Sequence, residues 1–508
     1  MKTFDSGKDW SFEDIDDAYH MIRAFAEDKY GLTYYPNQVE IITSEQMLDA
    51  YAAVGMPIYY SHWSFGKQFV QEQEAYSRGH MGLAYEIVIN SDPCISYLME
   101  ENTMAMQCLV MAHACFGHNS FFKNNVHFKQ WTDAEAIIDY LAFAKNYILE
   151  CEEKYGLEEV EAVIDAAHAL KMQGVDRYKR PAQLSKAKQE ARDKERRDFE
   201  RSTFDDIWRT IPTDPKLTAE SVRQKFPKEP EDNLLYFIEK HAPNLEPWKR
   251  EILRIVRKVS QYFYPQMLTK IMNEGWATFT HYNIINDMYD AGQVTDGFML
   301  EFLKSHTGVV KQRPMSQINP YALGFAMFND IKRICLEPTD EDRRWFPELA
   351  GRPDWLEQCK FAAYNFKDES FVLQYLSPKV IRDFKLFYVL DDEDNPTMRV
   401  EAIHNDDGYR LIREKLAEQQ NVNNQIPYMN VVNVDVWGSR VMTIEHRTNK
   451  KHMLDEDDAR KVLRHLAYLW GYGVKLKTID DKTNEVIEQY KYFPDADDDY
   501  LEDEDDDG

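Results

Sequence analysis

The chain has 508 residues, of which 44% are hydrophobic and 13% aromatic, and it carries a formal net charge of -27. This length predicts two or three domains with a large buried interior, and the aromatic content excludes a disordered chain. The acidic balance excludes a nucleic-acid footprint built on clustered Lys and Arg, and no run of 18 apolar residues is present to span a membrane.

The opening "MKTFDSGKDWSFEDIDDAYHM" lacks the basic flank and apolar run of a secretory signal, which points to the cytoplasm. Six cysteines without a C-x-x-C pair read as reduced, mostly buried thiols. Residues 11 to 150 read mainly as helices, beginning with "EDIDDAYHMIRAFAEDKYG". "GLAYEIVIN" is a strand or a buried helix, and "ISYLMEENTMAMQCLVMAHACF" reads as a helix apolar on almost every side, hence inside the core. A mixed-charge insertion follows over about 171–230, best read as a solvated helix laced by ion pairs.

"EPWKREILRIVRKVSQYFYPQMLTKIMNEGWATFTHYNIINDMYD" predicts two helices broken near Pro265. Past Lys385 the apolar period changes to a ββαββαβ order, which predicts a small α+β domain with a ferredoxin-like sheet as its model. The expected architecture is therefore mainly α, with a helical core domain over 1–384, a smaller α+β domain over 385–490, and a disordered acidic tail over 491–508.

No phosphate-binding loop, dinucleotide fingerprint, nucleophile elbow or H-E-x-x-H is present, so there is no nucleotide or flavin signature. Chemistry concentrates instead in "HACFGHNSFFKNNVHF", His113 to Phe128. His113 and His118 are five residues apart, about 140° on an α-helix, and face different ways unless Gly117 ends the helix in a left-handed turn. Downstream, Glu274 and His281 in "NEGWATFTHY" are seven apart and so about 20° apart, on one helix face. A buried carboxylate and imidazole need a partner or an ion. Two readings stay open: a metal or catalytic site, or structural histidines hydrogen-bonded within the core. His62, Lys67 and Asn124 are further pocket candidates, with aromatic packing and a turn as the plainer readings of their motifs.

"IYYSHWSFGK", "AYEIVINSDPCISYLMEENT", "MAHACFGHNSFFKNN", "MNEGWATFTHY" and "NPYALGF", in this order, resemble the SpoVR family, named for a stage V sporulation protein. The resemblance covers nearly the whole chain, and the charged insertion and acidic tail are similar to the longer form of non-sporulating proteobacteria. It implies a role in spore cortex formation or, elsewhere, in starvation and stationary phase, alongside a PrkA-type serine kinase and a von Willebrand-like partner. A weaker similarity to gluzincin metallopeptidases implies a metal held by His113, His118 and Glu274, the metal being zinc, manganese or iron. Ala114 stands where those enzymes keep their water-activating glutamate, which leaves Glu86 or His281 as the catalytic base of a metal-dependent hydrolase. The alternative is a non-catalytic adaptor in the kinase system.

Overall fold

The computed structural model describes residues 2–52, 59–63, 86–179, 191, 194–195, 226–313, 316–392, 395–448 and 453–494. Lys67, most of the charged insertion and the tail from 495 onward lie outside the described residues. Two compact units form: Met1–Val160 with Gln261–Ile426, and Glu161–Ser260 with Pro427–Gly508. The fold is mainly helical, with a smaller α+β part at the C-terminal end.

The first unit contains a mixed sheet in the order β1-β3-β2, from β1 (Asn37–Ile42), β2 (Glu86–Ile89) and β3 (Cys94–Met99). β1 pairs with β3 in parallel and β2 pairs with β3 antiparallel. The helix expected from Ile95 is thus a strand at its start, because Cys94, Ser96 and Leu98 alternate inward with period two. The helix begins only at Thr103, whose side chain caps it by accepting from the Met106 N–H. Residues Met104–Met111 are then buried on every side, as the absence of a polar stripe requires.

A helix over Lys270–Asp290 runs through the core, with Trp276, Phe279, Ile284 and Met288 buried along it. The break before it lies at Thr269, whereas Pro265 sits inside the last turn of the preceding helix, Pro247–Leu268. A proline there removes one helical hydrogen bond without ending the helix, and Thr269 Oγ1 ties the turn by donating to the Pro265 carbonyl at 2.7 Å. The Lys270–Asp290 helix has no cap of its own. Asp368, from the helix Asp368–Tyr375, supplies one by accepting from the Ile271 and Met272 N–H groups at 2.8 and 2.9 Å. The hairpin β4 (Tyr388–Asp392) and β5 (Asn395–Ala402) and the helix Asp406–Gln420 also fall within this unit; Tyr409, Ile412 and Leu416 join the core of Phe371 and Val372.

The second unit carries a four-stranded sheet in sequential order, β6 (Met429–Val434), β7 (Met442–Thr448), β8 (Val474–Asp480) and β9 (Val486–Tyr492). β7 and β8 are parallel across the helix Glu456–Trp470, which Asp455 caps and Gly471, at φ 83°, ends in the left-handed conformation. The strands past Lys385 therefore belong to two sheets and do not make one ferredoxin-like sheet. β9 extends the expected order; it is an edge strand, largely exposed, and lacks the clean apolar alternation that marks a half-buried strand. No described helix is long and apolar enough to cross a membrane, and all six cysteines are free and buried.

Candidate metal centre

The site starts from a change of helix type. After Met111 the buried helix winds as a π-helix over Ala112–His118, and the Asn119 N–H bonds to the Ala114 carbonyl five residues back. An i→i+5 ladder stacks residues five apart, so His113 and His118 come to the same side, their rings edge-on with centroids 4.5 Å apart. The left-handed stop expected at Gly117 does not occur; the chain continues helically into Asn119–Asn124. Gly117 is needed for a different reason. A β-carbon there would lie 2.6 Å from Ala277 Cα, so the glycine lets the π-helix rest against the Lys270–Asp290 helix.

That approach sets Asn273, Glu274 and His281 against the two histidines. His113 Nε2 is 3.3 Å from Glu86 Oε1 and 3.8 Å from Glu274 Oε2, and His118 Nε2 is 3.5 Å from the same Glu274 oxygen. The opposite ring atoms are engaged elsewhere: His118 Nδ1 meets Asn273 Oδ1 at 2.9 Å, and His113 Nδ1 meets His281 Nδ1 at 2.9 Å. Both Nε2 atoms thus share one space with the carboxylates, and each Nδ1 has an outer partner, as in metal-ligating histidines. A second close approach completes the wall. Gly275 and Gly324 let the helix Pro320–Leu336 pack so tightly that a β-carbon on Gly275 would lie 2.4 Å from Gly324 Cα. Tyr321 from that helix stacks at 6.3 Å from His113 and hydrogen-bonds Glu274.

The donor set fits a divalent cation on two observations. Two donors on a tetrahedral ion with bonds of about 2.1 Å lie about 3.4 Å apart. The separations of 3.3, 3.5 and 3.8 Å match that spacing better than the 2.9 Å of the hydrogen bonds around them. Glu86 Oε2 and Glu274 Oε2 are, moreover, buried oxygens without a hydrogen-bond partner among the described residues. Glu86, His113 and His118 each bring a donor atom within 4.8 Å of the others. The imidazoles form the closed side, with side chains 5% and 8% exposed, while Glu86 and Glu274 at 20% and 18% form the open one.

Burial and charge divide these groups. Burial lifts the Glu86 carboxyl to about 7, against the pull of His113 and with the push of Glu274. Burial opposes charge on His113, but Glu86 and Glu274 outweigh it and raise its pKa. Burial takes His118 down to about 4 in spite of Glu274. Glu274 is held low, because His118, His113 and Tyr321 outweigh its own burial.

Of the residues expected from the sequence, the structure brings His113, His118, Glu274, Glu86 and His281 together. His281 stands behind His113, with Nδ1 on His113 and Nε2 3.0 Å from His306 Nδ1. His62 is buried against Trp63 and is not one of the grouped donors. Asn124 ends the helix Asn119–Asn124, donating to the Thr33 and Ser120 carbonyls at 2.8 Å. Asn273, His306 and Tyr321 were not singled out from the sequence. Asn273 adjoins Glu274 and Tyr321 lies in "NPYALGF", whereas His306 has no chemical neighbour in the chain to mark it.

Comparison with known proteins follows the same residues. The family model described as SpoVR like protein matches residues 9–425, and that of the SpoVR-like C-terminal domain matches 427–481. The chain is 55% identical over 489 residues to the uncharacterized protein YcgB of Escherichia coli (strain K12), covering 95% of each chain. No solved structure matches. With its His and Glu cluster, its glycine contacts and nearly its full length inside these matches, the chain belongs to the SpoVR family.

Proposed function

We propose that this protein is a metal-dependent hydrolase of the cytoplasm, acting in sporulation or in stationary-phase and starvation stress. His113 Nε2, His118 Nε2 and the Glu274 carboxylate hold the divalent cation, zinc, manganese or iron, with Glu86 beside it. The observation that carries this reading is the common space in which both Nε2 atoms lie at ligand-to-ligand spacing from the orphaned Glu274 Oε2, and His113 Nε2 also from Glu86 Oε1. A cation bound there supplies Lewis acidity for attack by water on a carbonyl. The chain's own residues do the remainder. Asn273 and His281 orient the two imidazoles, Tyr321 steadies Glu274, and Glu86 on the open side holds the proton released from the water at Oε2.

A second reading rests on the raised pKa of His113 beside two carboxylates, which gives a charge network able to satisfy itself. The protein is then a non-catalytic adaptor for a PrkA-type serine kinase and a von Willebrand-like partner, with the cluster as part of its core. Elemental analysis of untagged protein separates the two. The hydrolase reading expects near-stoichiometric metal, lost in His113→Ala and Glu274→Ala. Metal-free wild-type protein that takes up none on titration, together with variants that keep their cellular role, sinks it.

A further inference from the structure

The two faces of the sheet in the second unit differ in charge. On β8, Val474, Leu476 and Thr478 are buried, whereas Lys475 and Lys477, which alternate with them, are partly exposed. Lys475 stands directly opposite Lys491 of the edge strand β9, so the two ammonium groups leave the sheet on the same side. Like charges in that position repel each other. Lys477 lies on the same side, two residues along, with Glu445 of β7 beside it in register. Glu445 is taken by Arg447, 3.6 Å away. None of Lys475, Lys477 and Lys491 has a carboxylate at ion-pair distance among the described residues. In a chain of net charge -27, three cations without an anion call for an occupant.

The chain carries the complementary charge immediately beyond β9. Phe493 lies over Gly473, where a β-carbon would come 2.4 Å from its ring, and this contact fixes the point from which the sequence continues. Past Pro494 stands "DADDDYLEDEDDDG", residues 495–508, with ten acidic side chains and no basic one. A strand spacing of about 4.8 Å and a rise of about 3.3 Å per residue put Lys475 roughly 8 Å and Lys477 roughly 14 Å from Phe493. An extended chain covers about 3.3–3.6 Å per residue, so Asp495 to Asp499 have the length to reach both.

We propose that the acidic segment 495–508 docks in cis on the sheet face of Lys475, Lys477 and Lys491. It is favoured over a separate polyanion because it is tethered beside the face, at an effective concentration of about millimolar. Docked there, it offsets the Lys475–Lys491 repulsion and covers the flank of an exposed edge strand. The inference is independent of the metal reading above.

The test is zero-length carbodiimide coupling of the full chain, as an equal mixture of 14N and 15N protein, mapped by mass spectrometry. Bonds from carboxylates of residues 495–507 to Lys475 and Lys477 are expected within one chain, in excess over bonds to Lys461 and Lys482, exposed lysines of the same unit. The excess is expected at about 0.1 M salt and is lost at about 1 M, as the Debye length falls from about 10 to about 3 Å. Lys491→Gln removes one charge at an exposed position and is expected to lower coupling at Lys475 by about two- to five-fold. Coupling spread evenly over the lysines of the unit overturns the proposal, as does an excess unchanged by salt or by Lys491→Gln. Bonds that join light to heavy chains place the segment on a second copy and overturn docking in cis.

Discussion

Gly117 and Ala277 mark the point where the histidine-bearing helix and the glutamate-bearing helix touch: a β-carbon on the glycine would sit 2.6 Å from the backbone of the alanine. Neither helix can yield locally, since both are buried along this face. Gly117→Ala is expected to destabilise the protein by about 1–3 kcal/mol through overpacking, and to weaken the metal binding proposed above by displacing His113 and His118 from Glu274. Gly308 serves as the control, because a β-carbon there meets nothing within 4 Å and the residue lies inside the helix Asp296–Val309. Gly308→Ala is expected to gain about 0.5–1 kcal/mol. Denaturant unfolding of the two variants checks both signs.

A cation that binds only the folded chain stabilises it by linkage. With free zinc at a hundred times its dissociation constant, the gain is about 2.7 kcal/mol, visible as a rise in the unfolding temperature that a chelator reverses. His118→Ala should unfold at the same temperature with and without zinc. An equal rise in wild type and variant places the ion elsewhere.

Thr278 lies between Glu274 and His281 along their helix, fully buried, and its Oγ1 has no hydrogen-bond partner among the described residues. Replacing an unsatisfied buried hydroxyl with a methyl removes a desolvation penalty and keeps the shape. Thr278→Val is therefore expected to be neutral or more stable by up to about 1 kcal/mol. A loss above that shows that the hydroxyl has a partner in solution.

Acid stability centres on Asp342, whose side chain is 3% exposed. Burial pushes its carboxyl up, but two hydrogen bonds from Arg333, at 2.6 and 2.8 Å, and those of Thr339 outweigh it and hold the pKa down at about 2. A carboxyl lowered by folding stabilises fully above its unfolded value of 3.8 and loses that contribution as pH falls through about 2. About 2 kcal/mol should disappear over that window. In Asp342→Asn the stability is lower at pH 7 and its slope between pH 4 and 2 is flatter. A parallel slope in wild type and variant assigns acid unfolding to other groups.

The helical character of the core and the shared face of Glu274 and His281 were legible because they follow from α-helical period alone. The alignment of His113 with His118 was not. Their spacing of five argues against a common face on an α-helix, and a π-turn is held by the Gly117–Ala277 contact, which lies 160 residues away in sequence. Ile95–Met99 passed for helix because its apolar residues stand only a few positions before a true helix, across Glu100, Glu101, Asn102 and the Thr103 cap. Pro265 passed for a break because a proline in a final helical turn looks the same in sequence as one that ends a helix. His306 left no signal: a single histidine on an amphipathic helix becomes meaningful only once His281 is seen beside it.

The turn over Ala112–His118 contains one residue more than an α-turn, and nothing within the segment itself favours that surplus. Cut out as a peptide, residues 100–131 would relax to α-helix or coil, the two imidazoles would swing apart, and zinc would meet no more than two independent histidines. The His and Glu cluster is a property of tertiary assembly: the chain must have closed a contact 160 residues long before these donor atoms meet.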